Sequence, residues 1–223
     1  MSRYAISDIH GCSKTFRYLV EEEVKLQPAD TLYLLGDYID RGPDSKGVIG
    51  FILELRKKGF QVTTLCGNHE DMLLDARANP DYPENWFYNG GLTTLKSFNT
   101  LSLKEIPARY WKFIEDLELF VELDDYLLVH AGFDFSHDYP FDDREAMLWI
   151  REFEVDKTVV GAKKIVHGHT PISLEDIETS LKPPVADVLN IDGGCVFTKQ
   201  LGYLTALNLD TFQLYRVKNR EAN

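Results

Sequence analysis

Side chains able to bind metal or move protons recur at one kind of position in this 223-residue chain, just past the end of a short apolar run. Asp8 and His10 follow Tyr4-Ala5-Ile6, and Asp37, Asp40 and Arg41 follow the run from Thr31 to Leu35. Asn68, His69 and Glu70 follow Phe60 to Leu65, His130 closes the run that begins at Tyr126, and His167 and His169 close the one that begins at Lys164. Carboxylate, amide and imidazole together offer hard oxygen and borderline nitrogen donors, a set suited to manganese, iron or zinc. No cysteine falls among these groups, which speaks against a structural thiolate zinc site.

Asp8, His10, Asp37, Asn68, His130 and His169 exceed what one ion needs, and a carboxylate such as Asp37 has two oxygens with which to bridge a pair. Two divalent cations are the better count. Such a pair, about 3.5–4 Å apart, suits in-line displacement at phosphorus, because it draws the pKa of a shared water towards neutrality and neutralises phosphoryl oxygens. A phosphoester site also needs guanidinium for the non-bridging oxygens and an acid for the leaving group. Arg41, four residues after Asp37, and His69, beside Asn68, are placed to supply them.

The elements that must position these groups alternate. Strand-length runs at Tyr4–Ile6, Thr31–Leu35 and Phe60–Leu65 are separated by two helical patterns. One carries Phe16, Leu19, Val20 and Val24 on a single stripe with Ser13 available as a cap; the other carries Val48, Ile49, Ile52 and Leu55 and stops at Gly59. The pattern predicts βαβ units and a largely parallel sheet, whose strands deliver their carboxyl-end loops to one edge. Residues 79–91 read as an ordered surface excursion, and 92–116 as helix interrupted near Pro107. Strands follow at 119–123, 126–130, 164–167, 188–191, 203–207 and 212–217, the last two as an antiparallel hairpin.

Composition bounds the partners. Thirty-six Asp+Glu against 24 Lys+Arg, a net charge of −12, speak against a nucleic-acid or anionic-membrane binder. Hydrophobic residues at 44% are ample for one sizeable core. Cys12, Cys66 and Cys195 are too widely spaced for a disulfide framework and read as core thiols. The N-terminus runs straight into Arg3-Tyr4-Ala5-Ile6 with no leader pattern, and no apolar run approaches the roughly 20 residues of a membrane span. A soluble cytoplasmic protein is expected, its oligomeric state open.

Asp8-Ile9-His10-Gly11, Gly36-Asp37-Tyr38-Ile39-Asp40-Arg41-Gly42 and Gly67-Asn68-His69-Glu70 resemble, in order, spacing and strand context, three successive motifs of the phosphoprotein phosphatase family, within the binuclear metallophosphoesterases. His130-Ala131-Gly132 and Gly168-His169-Thr170-Pro171 are similar to the family's two later metal motifs. The likeness is to its small phage and bacterial members. It runs from residue 3 to about 215, including Asn85-Trp86 with Asn89-Gly90-Gly91, Trp149-Ile150-Arg151-Glu152 and Asn190-Ile191-Asp192-Gly193-Gly194.

The resemblance implies an α/β calcineurin-like metallophosphoesterase fold, two packed mixed β-sheets flanked by helices, in a single catalytic domain over residues 1–223. It implies that Asp8 and His10 hold a first ion, Asp37 bridges, and Asn68, His130 and His169 complete the second. His69 is similar to the family's general acid with Asp40 orienting it, and Arg41 and Arg151, with Asn68, to the groups that hold the substrate phosphate. The implied reaction is hydrolysis of phosphoserine and phosphothreonine in a protein or peptide substrate, by direct attack of a metal-bridging hydroxide and without a phosphoenzyme. The implied cofactors are two divalent ions, manganese first and iron or zinc as substitutes.

Two departures bear on this. Ser7 stands where the first motif usually has glycine. Asp40 stands before Arg41-Gly42, where the related symmetrical dinucleoside-tetraphosphate hydrolases usually lack the acid, which favours the protein phosphatase branch. The rivals are a dinucleoside-tetraphosphate hydrolase or small-molecule phosphoesterase with the same chemistry, and a non-catalytic metal-bound scaffold. Plainer readings also stand beside single residues. Asp40 could cap the helix near Asp44, Arg41 and Arg151 could be surface arginines, and His167 could support or pack beside the site. Tyr82, Trp86 and Tyr88 could line a substrate groove or merely pack, and His137 reads as surface.

Overall fold

The computed structural model describes residues 1–80 and 83–221. Its first sheet has strand order β3-β2-β1-β8-β9, built from β1 (Arg3–Ile6), β2 (Thr31–Leu34), β3 (Gln61–Thr64), β8 (Tyr203–Asn208) and β9 (Leu214–Lys218). The second, β4-β5-β6-β7, uses β4 (Phe120–Glu122), β5 (Tyr126–Val129), β6 (Lys164–His167) and β7 (Val188–Asn190). The parallel pairing expected from the βαβ pattern holds for β1–β2–β3 and for β5–β6–β7. β8, β9 and β4 pair antiparallel, so both sheets are mixed.

Strand side chains alternate between faces, and here each face meets its own core. Tyr4 and Ile6, with Leu32 and Leu34, point to the helices outside the first sheet, where Phe16, Leu19, Val48, Ile52 and Leu73 pack. Ala5, Tyr33 and Leu207 face inward to meet Tyr126, Leu128, Val166 and Leu189 of the second sheet. Leu127, Val129 and Ile165 face outward again under Phe133, Met147 and Val160. The sandwich thus buries both faces of each inner strand, which is why these strands read as continuous apolar runs. Among the described residues, no helix is long and apolar enough to cross a membrane.

The helices are α1 (Ser13–Tyr18), α2 (Ser45–Lys57), α3 (Asn68–Ala78), α4 (Glu84–Tyr88), α5 (Gly91–Ser97), α6 (Ala108–Glu115), α7 (Arg144–Trp149), α8 (Lys157–Val160) and α9 (Leu174–Ser180). The stripe Phe16, Leu19, Val20 and Val24 is buried, but α1 widens into a π-helical segment over Leu19–Val24. Ser13 does not cap it; its hydroxyl donates to Asp44 Oδ2 at 2.6 Å, while Asp44 Oδ1 caps α2 through Gly47 N–H at 2.8 Å. Asp40 therefore has no capping role. The 92–116 segment is broken earlier than Pro107, because Asn99 takes a left-handed backbone (φ +57°) just past α5. Within the 79–91 excursion, Glu84–Tyr88 form α4, and Tyr82 lies outside the described residues.

Phe16 meets Phe51 of α2 edge-on at 5.3 Å between centroids and is fully buried. Phe16→Ala should cost about 3–5 kcal/mol, read as a lower urea midpoint with an unchanged slope. A loss below about 1 kcal/mol would contradict the packing described.

Candidate active site

Five strand-end loops converge at one edge of the sandwich. Their polar residues, unlike those of ordinary loops, are buried: Asp8, His10, Asp37, Asn68, His130 and His169 are all shielded from solvent. Tight backbone brings them there. Asp8, His10, Asp37, Asp40, Arg41 and His169 all have φ between +45° and +69°, a left-handed region that costs non-glycine residues energy and collects at functional sites. Gly36 (φ +99°) lets two loops touch, since a Cβ there would lie 2.6 Å from Gly67 N and 2.9 Å from His130 Nδ1.

Asp37 is the centre. Its Oδ2 lies 3.4 Å from His10 Nε2 and its Oδ1 3.5 Å from His130 Nε2, so the two oxygens face different imidazoles. Ligand-capable atoms form two groups that share Asp37, one with His10 and His69 and one with Asp8 and His130. His10 Nδ1 contacts the Ile39 carbonyl at 2.9 Å and His130 Nδ1 the Leu35 carbonyl at 2.8 Å, which leaves each Nε2 lone pair turned inward. Asn68 Oδ1 sits 3.0 Å from His130 Nε2 and 3.1 Å from His169 Nδ1. Asp8 Oδ2 accepts from His169 N–H at 3.0 Å and from the Ser7 hydroxyl, so the serine that replaces the usual glycine has a partner.

The remaining residues expected at the site sit around this cluster. His69 Nδ1 is 2.7 Å from Asp40 Oδ2, both buried, and His69 Nε2 is 3.9 Å from Asp37 Oδ2. Arg41 is exposed and reaches His10 Nε2 at 2.8 Å. Arg151 is exposed in the loop after α7, near enough that its charge acts on His169. His167 turns away: its Nδ1 meets the Gly168 carbonyl at 3.1 Å and its ring packs on Phe153. His137 is exposed, and all three cysteines are free and buried.

The profile of the calcineurin-like phosphoesterases matches residues 1–199. This chain belongs to that family. It is 32% identical over 208 residues to serine/threonine-protein phosphatase 1 of Salmonella typhimurium, covering 89% of this chain and 88% of that one. It is 28% identical to an asymmetrical bis(5'-nucleosyl)-tetraphosphatase of Anoxybacillus flavithermus, covering 92% and 91%. A symmetrical tetraphosphatase of Buchnera aphidicola matches more locally, at 43% over 74 residues that span 33% of this chain and 26% of that protein. In fold, a protein serine/threonine phosphatase of Saccharomyces cerevisiae superposes with a TM-score of 0.68 at 15% identity, over 99% of this chain and 81% of that one.

The cluster of this calcineurin-like phosphoesterase fits a pair of divalent cations. His69 Nε2 and His169 Nε2 are buried without a hydrogen-bond partner among the described residues, although buried polar atoms are nearly always paired. Arg41, which can only donate, points at the His10 nitrogen whose lone pair would otherwise serve a cation. The electrostatics say the same. Burial, then Asp8, holds Asp37 well above the carboxylate range, and Asp192 is raised in the same way. Burial presses His10 well below its ordinary value and takes His69 and His169 down to about 2. Burial disfavours both carboxylate anions and imidazolium cations here, whereas added divalent charge favours the carboxylate anions and keeps the imidazoles neutral, the forms that ligate metal.

Several residues support the site in ways their sequence positions do not specify. Glu70, fully buried, accepts backbone N–H groups of Asp37 (2.9 Å), Tyr38 (2.9 Å), Ile39 (3.3 Å) and Gly67 (3.0 Å), tying the loops after β2 and β3 together. Its place three residues after the helix N-cap was the available signal. Trp86 and Thr94 hydrogen-bond the Asp40 carboxylate, and Asp192 lies buried close enough for Asp8 to raise it further.

Burial raises Asp40 and Glu70 to about 8, so in the cation-free protein they keep protons that the unfolded chain has already released. Their stabilisation is present at low pH and lost as pH rises towards about 8. Below about pH 6.5 the lowered histidines His10, His69 and His169 gain stability as pH rises and offset these acids. Chelator-treated protein should therefore melt at falling temperature only from about pH 6.5 to pH 8, and manganese should recover most of the loss at pH 8. Asp37→Asn should leave the chelated protein within a few degrees of wild type yet abolish the rise caused by manganese. A cation-free melting temperature that climbs between about pH 6.5 and pH 8 would contradict these shifts.

Proposed function

We propose that this chain is a metal-dependent serine/threonine protein phosphatase, a single catalytic domain that hydrolyses phosphomonoesters directly with water. Asp8 and His10, with Asp37 shared, and Asn68, His130 and His169 are the residues that would hold two divalent cations, manganese first among the candidates. Bound there, the cations supply an acidified water and neutralise the phosphoryl oxygens. The protein groups do the rest. Arg41 and Arg151 hold the non-bridging oxygens, joined by the Asn68 amide. His69 releases a proton from Nε2 to the leaving oxygen, while Asp40 keeps the Nδ1 proton and so the ring orientation.

The observation that carries this reading is the buried Asp40–His69 pair at 2.7 Å, with His69 Nε2 left without a hydrogen-bond partner among the described residues. A seryl or threonyl alkoxide is a poor leaving group and needs that proton, whereas a departing polyphosphate needs it less. The match to the Salmonella phosphatase over most of both chains supports the same conclusion. The acidic surface, net −12, also suits a single phosphoryl group better than a polyanion. Hydrolysis of dinucleoside tetraphosphates is the second reading, favoured by the similarly extensive match to the Anoxybacillus enzyme.

His69→Asn should lower kcat on a phosphoserine peptide by about 10²–10⁴-fold while metal content stays at two per chain. Near-normal turnover would remove His69 from the acid role. The wild-type specificity constant should be larger for the phosphopeptide than for a dinucleoside tetraphosphate; the reverse order would transfer the assignment to the second reading.

A further inference from the structure

Asp40 is buried completely, and its ties run mostly to one segment distant in sequence. Trp86 Nε1 donates to both of its oxygens, at 3.1 and 2.9 Å, and Thr94 Oγ1 donates to Oδ1 at 2.6 Å. The Asp40 N–H in turn meets Thr94 Oγ1 at 2.9 Å and Ser45 Oγ at 3.1 Å. His69 Nδ1 takes the remaining approach to Oδ2.

The indole has little room to move. Trp86 is 1% exposed, and a Cβ on Gly91 would lie 2.4 Å from its Cδ2. The same corner grips the next residue, since a Cβ on Gly90 (φ +105°) would lie 2.8 Å from Arg41 N. The α4–α5 corner thus contacts both Asp40 and Arg41 from behind.

We infer that Trp86, with Thr94, is a positioning residue for proton delivery: the two donors fix the Asp40 carboxylate in the one orientation that holds the Nδ1 proton of His69 and turns Nε2 to the reacting oxygen. The inference rests on the phosphatase reading of His69. Trp86, 1% exposed, acts through Asp40. Its effect is therefore a dependence on the leaving group, which a merely structural role would not produce.

The test compares metal-loaded variants on a phosphoserine peptide, whose alkoxide must be protonated, and on 4-nitrophenyl phosphate, whose phenolate leaves without help. Trp86→Phe keeps the ring and removes the donor. It should lower kcat on the phosphopeptide by about ten- to a hundredfold with little change in KM, and on 4-nitrophenyl phosphate by less than about threefold. Thr94→Val should act in the same direction, and Thr94→Ser, which restores a hydroxyl, should recover wild-type behaviour. Equal losses on both substrates, or none on the phosphopeptide, would overturn the inference. Where Trp86→Phe does not fold, the Thr94 pair decides, and indistinguishable valine and serine variants would sink it. His69→Asn separates the two levels. If it produces the leaving-group dependence and neither Trp86→Phe nor Thr94→Val does, the positioning role alone fails; if it does not, both fail.

Discussion

Buried in one dry volume, the carboxylates repel one another as anions, the imidazoles repel one another as cations, and both resist charging, a constraint that most of the local architecture answers to. Asp37 lies within 4 Å of His10, His69 and His130. Such a grouping is expensive to assemble unless cations later occupy it. The protein meets the cost by over-determining the backbone. Ile39 and Leu35 carbonyls orient two imidazoles, Glu70 gathers four backbone N–H groups, and Gly36 permits a contact that no side chain would allow.

The sandwich makes this possible because strands from both sheets end at the same edge. β1, β2 and β3 contribute from one sheet and β5 and β6 from the other, with the interior core of Ala5, Tyr33, Leu128 and Val166 locking them in register. Asp37, from the first sheet, faces His130, from the second. Sheet packing and site geometry are therefore one constraint: a shift between the sheets would separate the groups that Asp37 brings together.

Much of this was legible in the sequence because its signals are local. A strand-length apolar run broken by a polar residue or glycine marks both the strand end and the loop, so the sequence alone places Asp8, Asp37, Asn68, His130 and His169 at strand ends. The parallel pairing and the β8–β9 hairpin were also legible, and the resemblance implied mixed sheets; the antiparallel pairing of β8 onto β1, from near opposite ends of the chain, has no short-range mark. Ser13 looked like a cap because its type suits one; its hydroxyl instead found Asp44, 31 residues away. Trp86 looked like packing because nothing near it in sequence needs a donor, and its partner Asp40 is 46 residues distant. Long-range hydrogen bonds of this kind follow from the fold alone. Arg151 is the intermediate case, its neighbourhood to His169 felt electrostatically while its side chain stays exposed.

The central claim is that the Asp37-centred cluster is built for two divalent cations rather than one or none. Calorimetric titration of the chelator-stripped chain with manganese tests it most directly. A two-cation site should saturate at two ions per chain and release protons as they bind. Saturation at a single ion, or no saturable binding, would contradict it.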